Sequence, residues 1–319
     1  MRKNLKFIIR SSNTGLFIAV LIIFIILSAA ASNFLSALNL YTLGRTLSIY
    51  CFIGLAQAIT LVAGNMNLSV GAIGGLSTIT TGYLLQVMGY PGWVAVIAGI
   101  AVGVMAGAFN GLLVSKLGMN SFVVTLGTLF FYTGLVYGLT KGFPFNEIPK
   151  SFLFVGKQKI LGVPLLLYIT IICLVVVFLF FRYSIAGRRM LTVGENPTAA
   201  KFSGVNVSNI ILLSHMLSGL SASIGAILYV SRIGSASPQT GQDWLVISFA
   251  VAIIGGTALS GGMITAFGLF LGGVLMVMIK SGLVFLKANI YWEQAFLGTI
   301  ILIAVVIDRF RSIYSQREI

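Results

Sequence analysis

The chain has 319 residues, of which 58% are hydrophobic and 8% charged, and its formal net charge is +14. A soluble globular domain carries roughly 25% charged residues, so this composition excludes a water-soluble body and points to an all-α integral membrane protein. The surplus of Lys and Arg then reflects membrane topology and attraction to anionic lipid headgroups, and no nucleic-acid partner is expected.

A helix that crosses the hydrocarbon core needs about 20 mostly apolar residues, and the charged positions cut the chain into pieces of that order. The first apolar run is Leu16 to Ala31. With basic residues ahead of it and Ser28-Ala29-Ala30-Ala31 at its end it imitates a secretory signal, but its length and the spans that follow make it a retained first span. Thr46 to Ser115 is free of charge and long enough for three spans, divided at Gly64-Asn65-Met66-Asn67 and at the turn Gly89-Tyr90-Pro91-Gly92. Leu117 to Thr140 holds a fifth span, Ile160 to Phe181 a sixth and Phe202 to Ser231 a seventh. Two more follow from Trp244, separated by the glycine cluster Gly255-Gly256 to Gly261-Gly262, and a last one runs from Trp292 to Val306. The expectation is a polytopic bundle of about ten transmembrane helices, a single transmembrane domain over residues 1–319.

Cytoplasmic loops carry the excess of Lys and Arg. Ten spans put both termini on one side, and placing them in the cytoplasm assigns Arg2, Lys3, Lys6, Arg10, Lys116, Arg182, Arg188, Arg189, Lys201, Arg309, Arg311 and Arg317 there. A cytoplasmic loop then covers about 183–207 and a long external loop about 141–162. Cys51 and Cys173 fall within spans and read as unpaired apolar residues. His215, the one histidine, cannot build a metal site alone and reads as a satisfied packing residue.

Catalysis needs clustered acids, bases or metal ligands. The six acidic residues, Glu147, Glu195, Asp243, Glu293, Asp308 and Glu318, are scattered, and the chain has neither a GxSxG elbow nor a phosphate-cradling GxxxxGK[ST] loop. No catalytic or metal-binding residue is expected. Proton- or sodium-coupled transporters keep an ionisable group near the bilayer midplane. Here the polar residues expected within the membrane are neutral: Gln57, Asn65, Asn67, Ser69, Asn110, Asn120 and Thr125. They are the candidates for a path that admits a neutral, hydroxyl-rich solute, with energy supplied by another subunit. Lys280, near the outer end of its span, is expected to snorkel to the interface. Small residues at four-residue spacing, Gly71/Gly75, Gly99/Gly103/Gly107 and Gly268/Gly272, read as close helix contacts. Gly64-Asn65 and Gly255-Gly256 are candidate helix breaks.

The loop after the sixth span is the most informative segment. Asn196 suits an N-cap and Pro197 the first helical position, Thr198 to Ser203 supplies about two turns, and Gly204 can stop the helix in the left-handed conformation. A short capped helix on the cytoplasmic face can receive force from a soluble partner or serve as a plain interfacial connector.

Gly194-Glu195-Asn196-Pro197-Thr198-Ala199-Ala200-Lys201-Phe202-Ser203-Gly204-Val205 resembles the GxNxxAAxxSGI/V segment of ribose/galactose-type permeases of bacterial ABC importers. Further blocks follow in the same order: Asn67-Leu68-Ser69-Val70-Gly71 is similar to DLSVG, and Asn110-Gly111 with Thr125-Leu126-Gly127-Thr128 to the NG and TLGT elements. Arg232-Ile233-Gly234-Ser235-Ala236 is similar to RIGSA, Gly255 to Gly262 to GGTSLxGG, and Gln294 with Ala304 to Asp308 to the last-helix pattern. The resemblance implies a transmembrane subunit in a bacterial inner membrane. It would pair with a second permease, a homodimer being favoured over a heterodimer, and work with a cytoplasmic ATPase and an extracytoplasmic solute-binding protein. ATP and Mg would be bound by the ATPase, leaving this chain without a cofactor. Gly194, Glu195, Asn196, Pro197, Ala199, Ala200, Lys201, Ser203 and Gly204 would form the coupling helix and its flanks. The solute would be a monosaccharide or similar, with autoinducer-2, nucleosides and branched-chain amino acids as alternatives. The chain departs from the pattern at Asn67 in place of Asp, at Asn65 ahead of it where Gly is usual, at Ser281-Gly282 in place of Asn-Gly, and at Val246 where an acid is usual. Outside that family, a stand-alone facilitator or secondary transporter is the other reading, and an enzyme acting on lipid-linked sugar would need an acidic cluster that is not found.

Overall fold

The computed structural model describes residues 12–30, 33–285 and six single positions between 292 and 302. Both chain ends, and the run expected as a tenth span from Trp292 to Val306 apart from those six positions, therefore lie outside the described residues. The described part is helical: α1 (Ser12–Ala30), α2 (Ala37–Val62), α3 (Val70–Gln86), α4 (Gly92–Ser115), α5 (Ser121–Thr140), the single turn α6 (Phe154–Lys157), α7 (Leu165–Tyr183), α8 (Ile185–Glu195), α9 (Pro197–Phe202), α10 (Val207–Ile233), α11 (Trp244–Ile254) and α12 (Ala266–Phe285). Six of them, α2, α4, α5, α7, α10 and α12, are long and apolar enough to cross a membrane, and α1 and α11 supply shorter apolar segments.

α2 is the axis of the bundle. Every residue from Leu47 to Val62 is buried, as expected of a helix apolar on all sides and surrounded by others. It packs against α10, α11, α12 and α7. By contrast α7 buries only Leu166, Thr170, Leu174 and Phe181, largely a single face at four-residue spacing, and leaves Ile171, Ile172, Val175, Val176 and Phe178 exposed. An apolar face this broad fits contact with lipid. The tightest crossing is between α4 and α10. A Cβ on Gly103 or Gly107 would strike the backbone of Gly219 or His215, so these glycines set the interhelical distance.

Several boundaries differ from the expected ones, each for a local reason. α2 begins at Ala37 instead of Thr46, capped by Ser36, whose Oγ accepts from the Asn39 N–H at 3.3 Å. Arg45 therefore lies inside a helix. Its charge is accommodated because the guanidinium sits 4.7 Å from the Tyr41 ring centroid and Nη1 donates to the Gly156 carbonyl at 3.3 Å. The helix expected from Ile160 starts at Leu165, because 159–164 form a two-stranded hairpin, β1 (Lys159–Ile160) against β2 (Val163–Pro164), turning at Leu161 (φ 51°) and Gly162 (φ 81°). The start expected at Phe202 moves to Val207, capped by Asn206, whose side chain accepts from the Asn209 N–H at 3.0 Å. α8 was not foreseen. Ser184 caps it by accepting from the Gly187 N–H at 2.9 Å, and it buries Gly187, Met190, Val193 and Gly194 while Arg188 and Arg189 stay exposed.

The bundle has two distinct ends. At one, the 141–162 segment is stitched to the helices: the Tyr41 hydroxyl donates to Lys157 O at 2.7 Å, and Ser231 Oγ accepts from Gly156 N–H at 2.9 Å while donating to Phe152 O at 2.7 Å. Phe145 and Ala236 exchange backbone hydrogen bonds of 2.9 and 2.8 Å there. At the other end, Val62, Gly194 and Gly262 meet backbone to backbone, and the Gly262 N–H donates to the Val62 carbonyl at 3.0 Å.

Candidate functional site

Two groups of the candidate residues are drawn together by the fold. The first begins at the break between α2 and α3. Asn67, fully buried, accepts at Oδ1 from both the N–H (3.0 Å) and the hydroxyl (2.7 Å) of Ser69, and its amide donates to Ser218 Oγ on α10 at 2.9 Å. The Asn110 amide on α4 donates in turn to Ser69 Oγ at 2.8 Å, and the Tyr132 hydroxyl on α5 donates to Ala106 O at 2.9 Å, with Asn110 Oδ1 at 3.2 Å. One chain of hydrogen bonds thus ties four elements inside a low-dielectric core, where an unpaired polar group is costly and a fully paired network fixes geometry. Ser218 and Tyr132 were not singled out from the sequence. No local pattern separates Ser218 from Ser214, Ser221 and Ser223 on the same helix, and only the packing of α10 against the Asn67 break selects it.

The remaining path candidates are placed differently. Asn65 is half-buried, its amide donating to Ala63 O at 3.0 Å. Asn120 is exposed and caps α5, accepting from the Phe122 N–H at 2.9 Å. Thr125 is buried and donates to Ser121 O on its own helix at 2.6 Å. Gln57 is completely buried on α2 with neither side-chain atom hydrogen-bonded. His215, expected to be satisfied, is also fully buried with neither ring nitrogen bonded, because its α10 face is pressed against Gly107 and Gly111 of α4, which offer no side-chain acceptor.

The second group is the segment from Gly194 to Gly204. Asn196 ends α8 and caps α9, its Oδ1 accepting from the Ala199 N–H at 2.9 Å, with Pro197 at the first helical position. Gly204, at φ +80°, terminates the turn. Ala200 is buried at 3% exposure, whereas Ala199 and Lys201 are exposed and Phe202 is 88% exposed. The short helix thus seats one small residue against the bundle and leaves a phenylalanine in the open. Gly194 holds it to the bundle: a Cβ there would collide with Val62 O and Gly262 N, and one on Gly261 would approach Gly194 O. Glu195 Cα and Cβ lie against Gly262.

Lys280, expected to snorkel, instead pairs with Asp243, Nζ to Oδ2 at 3.3 Å, and lies 5.6 Å from the Tyr50 ring centroid. An acid on the loop ahead of α11 and a lysine on α12 are 37 positions apart, and no spacing rule joins them.

Six helices of membrane-spanning length and a buried polar network fit a multi-pass membrane protein, and the sequence comparisons supply its family. The chain belongs to the family described as branched-chain amino acid transport system / permease component, whose model matches residues 39–305. It is similar to the ribose import permease protein RbsC of Bacillus subtilis, 30% identical over 93% of both chains. It is similar also to the autoinducer 2 import system permease protein LsrC of Enterobacter sp., 31% identical over 98% of this chain and 92% of the relative. The galactose/methyl galactoside import permease protein MglC of Escherichia coli is 30% identical over 95% of both. No solved structure matches the chain. The chain is thus a multi-pass permease of the ABC-importer type, similar to subunits named for sugar import.

Proposed function

We propose that this chain is the transmembrane subunit of a binding-protein-dependent ABC importer that moves a monosaccharide or similar small hydroxylated solute across a bacterial inner membrane. In this reading ten spans place both termini in the cytoplasm, with 183–207 inside and 141–162 outside. Two copies pair, a cytoplasmic ATPase binds ATP and Mg, and an extracytoplasmic binding protein delivers the solute, so this chain needs no cofactor. The observation that carries it is α9: a capped helix with Lys201 and the 88%-exposed Phe202 on its open side and Ala200 seated inward. Gly194, Glu195, Asn196, Pro197, Ala199, Ala200, Lys201, Ser203 and Gly204 form the coupling element.

The mechanism follows from how that element is anchored. A push on α9 passes through α8 to Gly194, and from there to the last turn of α2 and the loop that leads into α12, because the three backbones touch. Such contacts have no soft side chain to absorb displacement. Rigid-body rocking of helices, with the Asn67–Ser69–Asn110–Ser218 network keeping α3, α4 and α10 together, then alternates access to a path beside Asn65 and Gln57. No chemistry is done on the solute.

Uptake of labelled ribose, galactose or autoinducer-2 into cells expressing the importer tests this. The expected result is uptake that disappears when the Walker lysine of the partner ATPase is replaced. Uptake that persists would leave a facilitator or secondary transporter as the function.

A further inference from the structure

The segment 141–162 holds four lysines, Lys141, Lys150, Lys157 and Lys159, against one acid, Glu147. In the proposed topology it is external, and its charge runs against the rule that sorts loops near span ends, since Lys and Arg gather on the cytoplasmic side. All four lysines are exposed, and among the described residues none of them forms an ion pair. Lys159 Nζ lies 4.5 Å from the Tyr41 ring centroid. Charge that opposes the orientation of the chain and pairs with nothing inside it calls for a use outside it.

The backbone that carries these lysines is fixed across the end of the bundle. The Glu147 N–H donates to the Gln86 side chain of α3 at 2.9 Å, and the Ser235 hydroxyl, just beyond α10, donates to Asn146 Oδ1 at 2.7 Å. From α2, the Tyr41 hydroxyl and Arg45 Nη1 donate to Lys157 O and Gly156 O at 2.7 and 3.3 Å. A loop already ordered loses little freedom when a partner binds. Among the described residues the two non-glycine residues with positive φ, Lys141 (52°) and Leu161 (51°), both lie in this segment, and both are exposed. Leu161 and Gly162 (φ 81°) turn the β1–β2 hairpin, where Asn, Asp or Gly is the favoured first residue. A leucine there strains the backbone, and the side chain so presented is 94% exposed at the tip. Phe143, 73% exposed, adds a second apolar group.

We propose that 141–162 is the docking surface for a soluble extracytoplasmic protein, the solute-binding protein of the importer, whose contact face carries carboxylates around an apolar recess. The lysines steer and orient that protein, and Leu161 fills the recess. The inference rests on the importer reading and deepens it by assigning residues and chemistry to one contact. Lysines around an apolar knob complement carboxylates around an apolar centre, the division of an interface into polar rim and apolar core. Anionic lipid offers the same charge, but lipid lies beside the bundle, whereas this segment is pinned to α2 and α3 and beside α10, across the bundle's end.

The full chain in phosphatidylcholine nanodiscs is immobilised and titrated with the purified solute-binding protein of its importer, at low and at high ionic strength and without ATPase. Association with the wild type should slow as salt rises. Replacing the four lysines together (Lys141→Gln, Lys150→Gln, Lys157→Gln and Lys159→Gln) should slow association roughly tenfold and remove most of that salt dependence. The midpoint of thermal unfolding should stay near its original value, because these side chains make no ion pair within the chain. Leu161→Gly, which suits the turn, should speed dissociation several-fold with association unchanged. Wild-type rates in both variants would overturn the proposal and leave the importer reading intact, since that reading fails only if uptake survives an inactive ATPase. A wild type that does not bind the protein, or binds it without regard to salt, would overturn it too. So would a wild type stabilised by phosphatidylglycerol in the disc whose lysine variant loses that gain but keeps full affinity for the protein, which would give the charge to lipid.

Discussion

The two ends of this bundle are built from different materials. At the Gly194 end three backbones meet, the Glu195 side chain lies against Gly262, and a hydrogen bond from Gly262 N–H to Val62 O closes the joint. At the Gly156 end the loop is held by the side chains of Tyr41, Arg45 and Ser231, and charged and aromatic groups surround open space. Backbone contacts transmit displacement without loss but recognise nothing. Side chains around a cavity recognise chemistry but yield under load. Under the proposed function the Gly194 end suits the passing of force and the Gly156 end contact with solute, and each prediction below strains one side of that difference.

The largest effect is expected at the joint. Gly194→Val places branched carbons where Val62 O and Gly262 N already sit. Overpacking of a closed interior costs about 1–3 kcal/mol and occasionally more, and here the obstacle is backbone, which cannot change rotamer. The variant should show a clear fall in the midpoint of thermal unfolding of the purified protein. In the assembled importer it should hydrolyse ATP with little uptake. A Gly194→Val protein with unchanged midpoint and unchanged uptake would mean that the joint is not a fixed point.

At the opposite end, one of the tethers is the Ser231 hydroxyl. Ser231→Ala removes both the acceptor of Gly156 N–H and the donor to Phe152 O, and Ser231 is only 3% exposed. Leaving a buried backbone group unsatisfied costs about 1–3 kcal/mol. The loop should loosen where it is sewn to α10, so hydrogen exchange should rise over 152–157 while α8 and α9 keep their protection. An equal rise at both ends would show that the two ends are one mechanical unit.

How much of this was legible beforehand depends on the range of the interaction responsible. Helix α9 is a local object: Asn196, Pro197 and Gly204 set its cap, first residue and stop within nine positions, and all three are visible in the sequence. The apolar runs of α4 and α5 are likewise local. The sequence misplaces the start of α2 because a charge such as Arg45 reads as a boundary. Its tolerance depends on Tyr41 one turn away and on Gly156, which is 111 residues distant. The polar network was half legible. Asn67, Ser69 and Asn110 stood out as amides and hydroxyls in apolar runs, but what each bonds is decided by helix crossings 41 to 151 residues apart. The joint was the least visible, since Gly194 was noticed as part of a docking segment and Val62 carries no signal at all. A backbone contact leaves only a missing side chain in the sequence, and a chain with 37 glycines offers many of those.

The smallest effect separates the joint from the helix it serves. Asn196→Ala removes the side chain that accepts from the Ala199 N–H at 2.9 Å, at an exposed position. Loss of an N-cap costs about 1 kcal/mol, and on a six-residue helix that cost falls almost wholly on α9. Global unfolding should barely shift, because Gly194 and the bundle core are untouched. Exchange of the Ala199 and Ala200 amides should quicken, and uptake per ATP hydrolysed should fall by a modest factor, since a frayed α9 spends part of its time unable to pass force to Gly194. Asn196→Asp, which keeps the acceptor and adds a charge favourable at a helix N-terminus, should restore both. If Asn196→Ala instead lowers the unfolding midpoint as far as Gly194→Val does, then α9 is structural support for the bundle and not a lever resting on it.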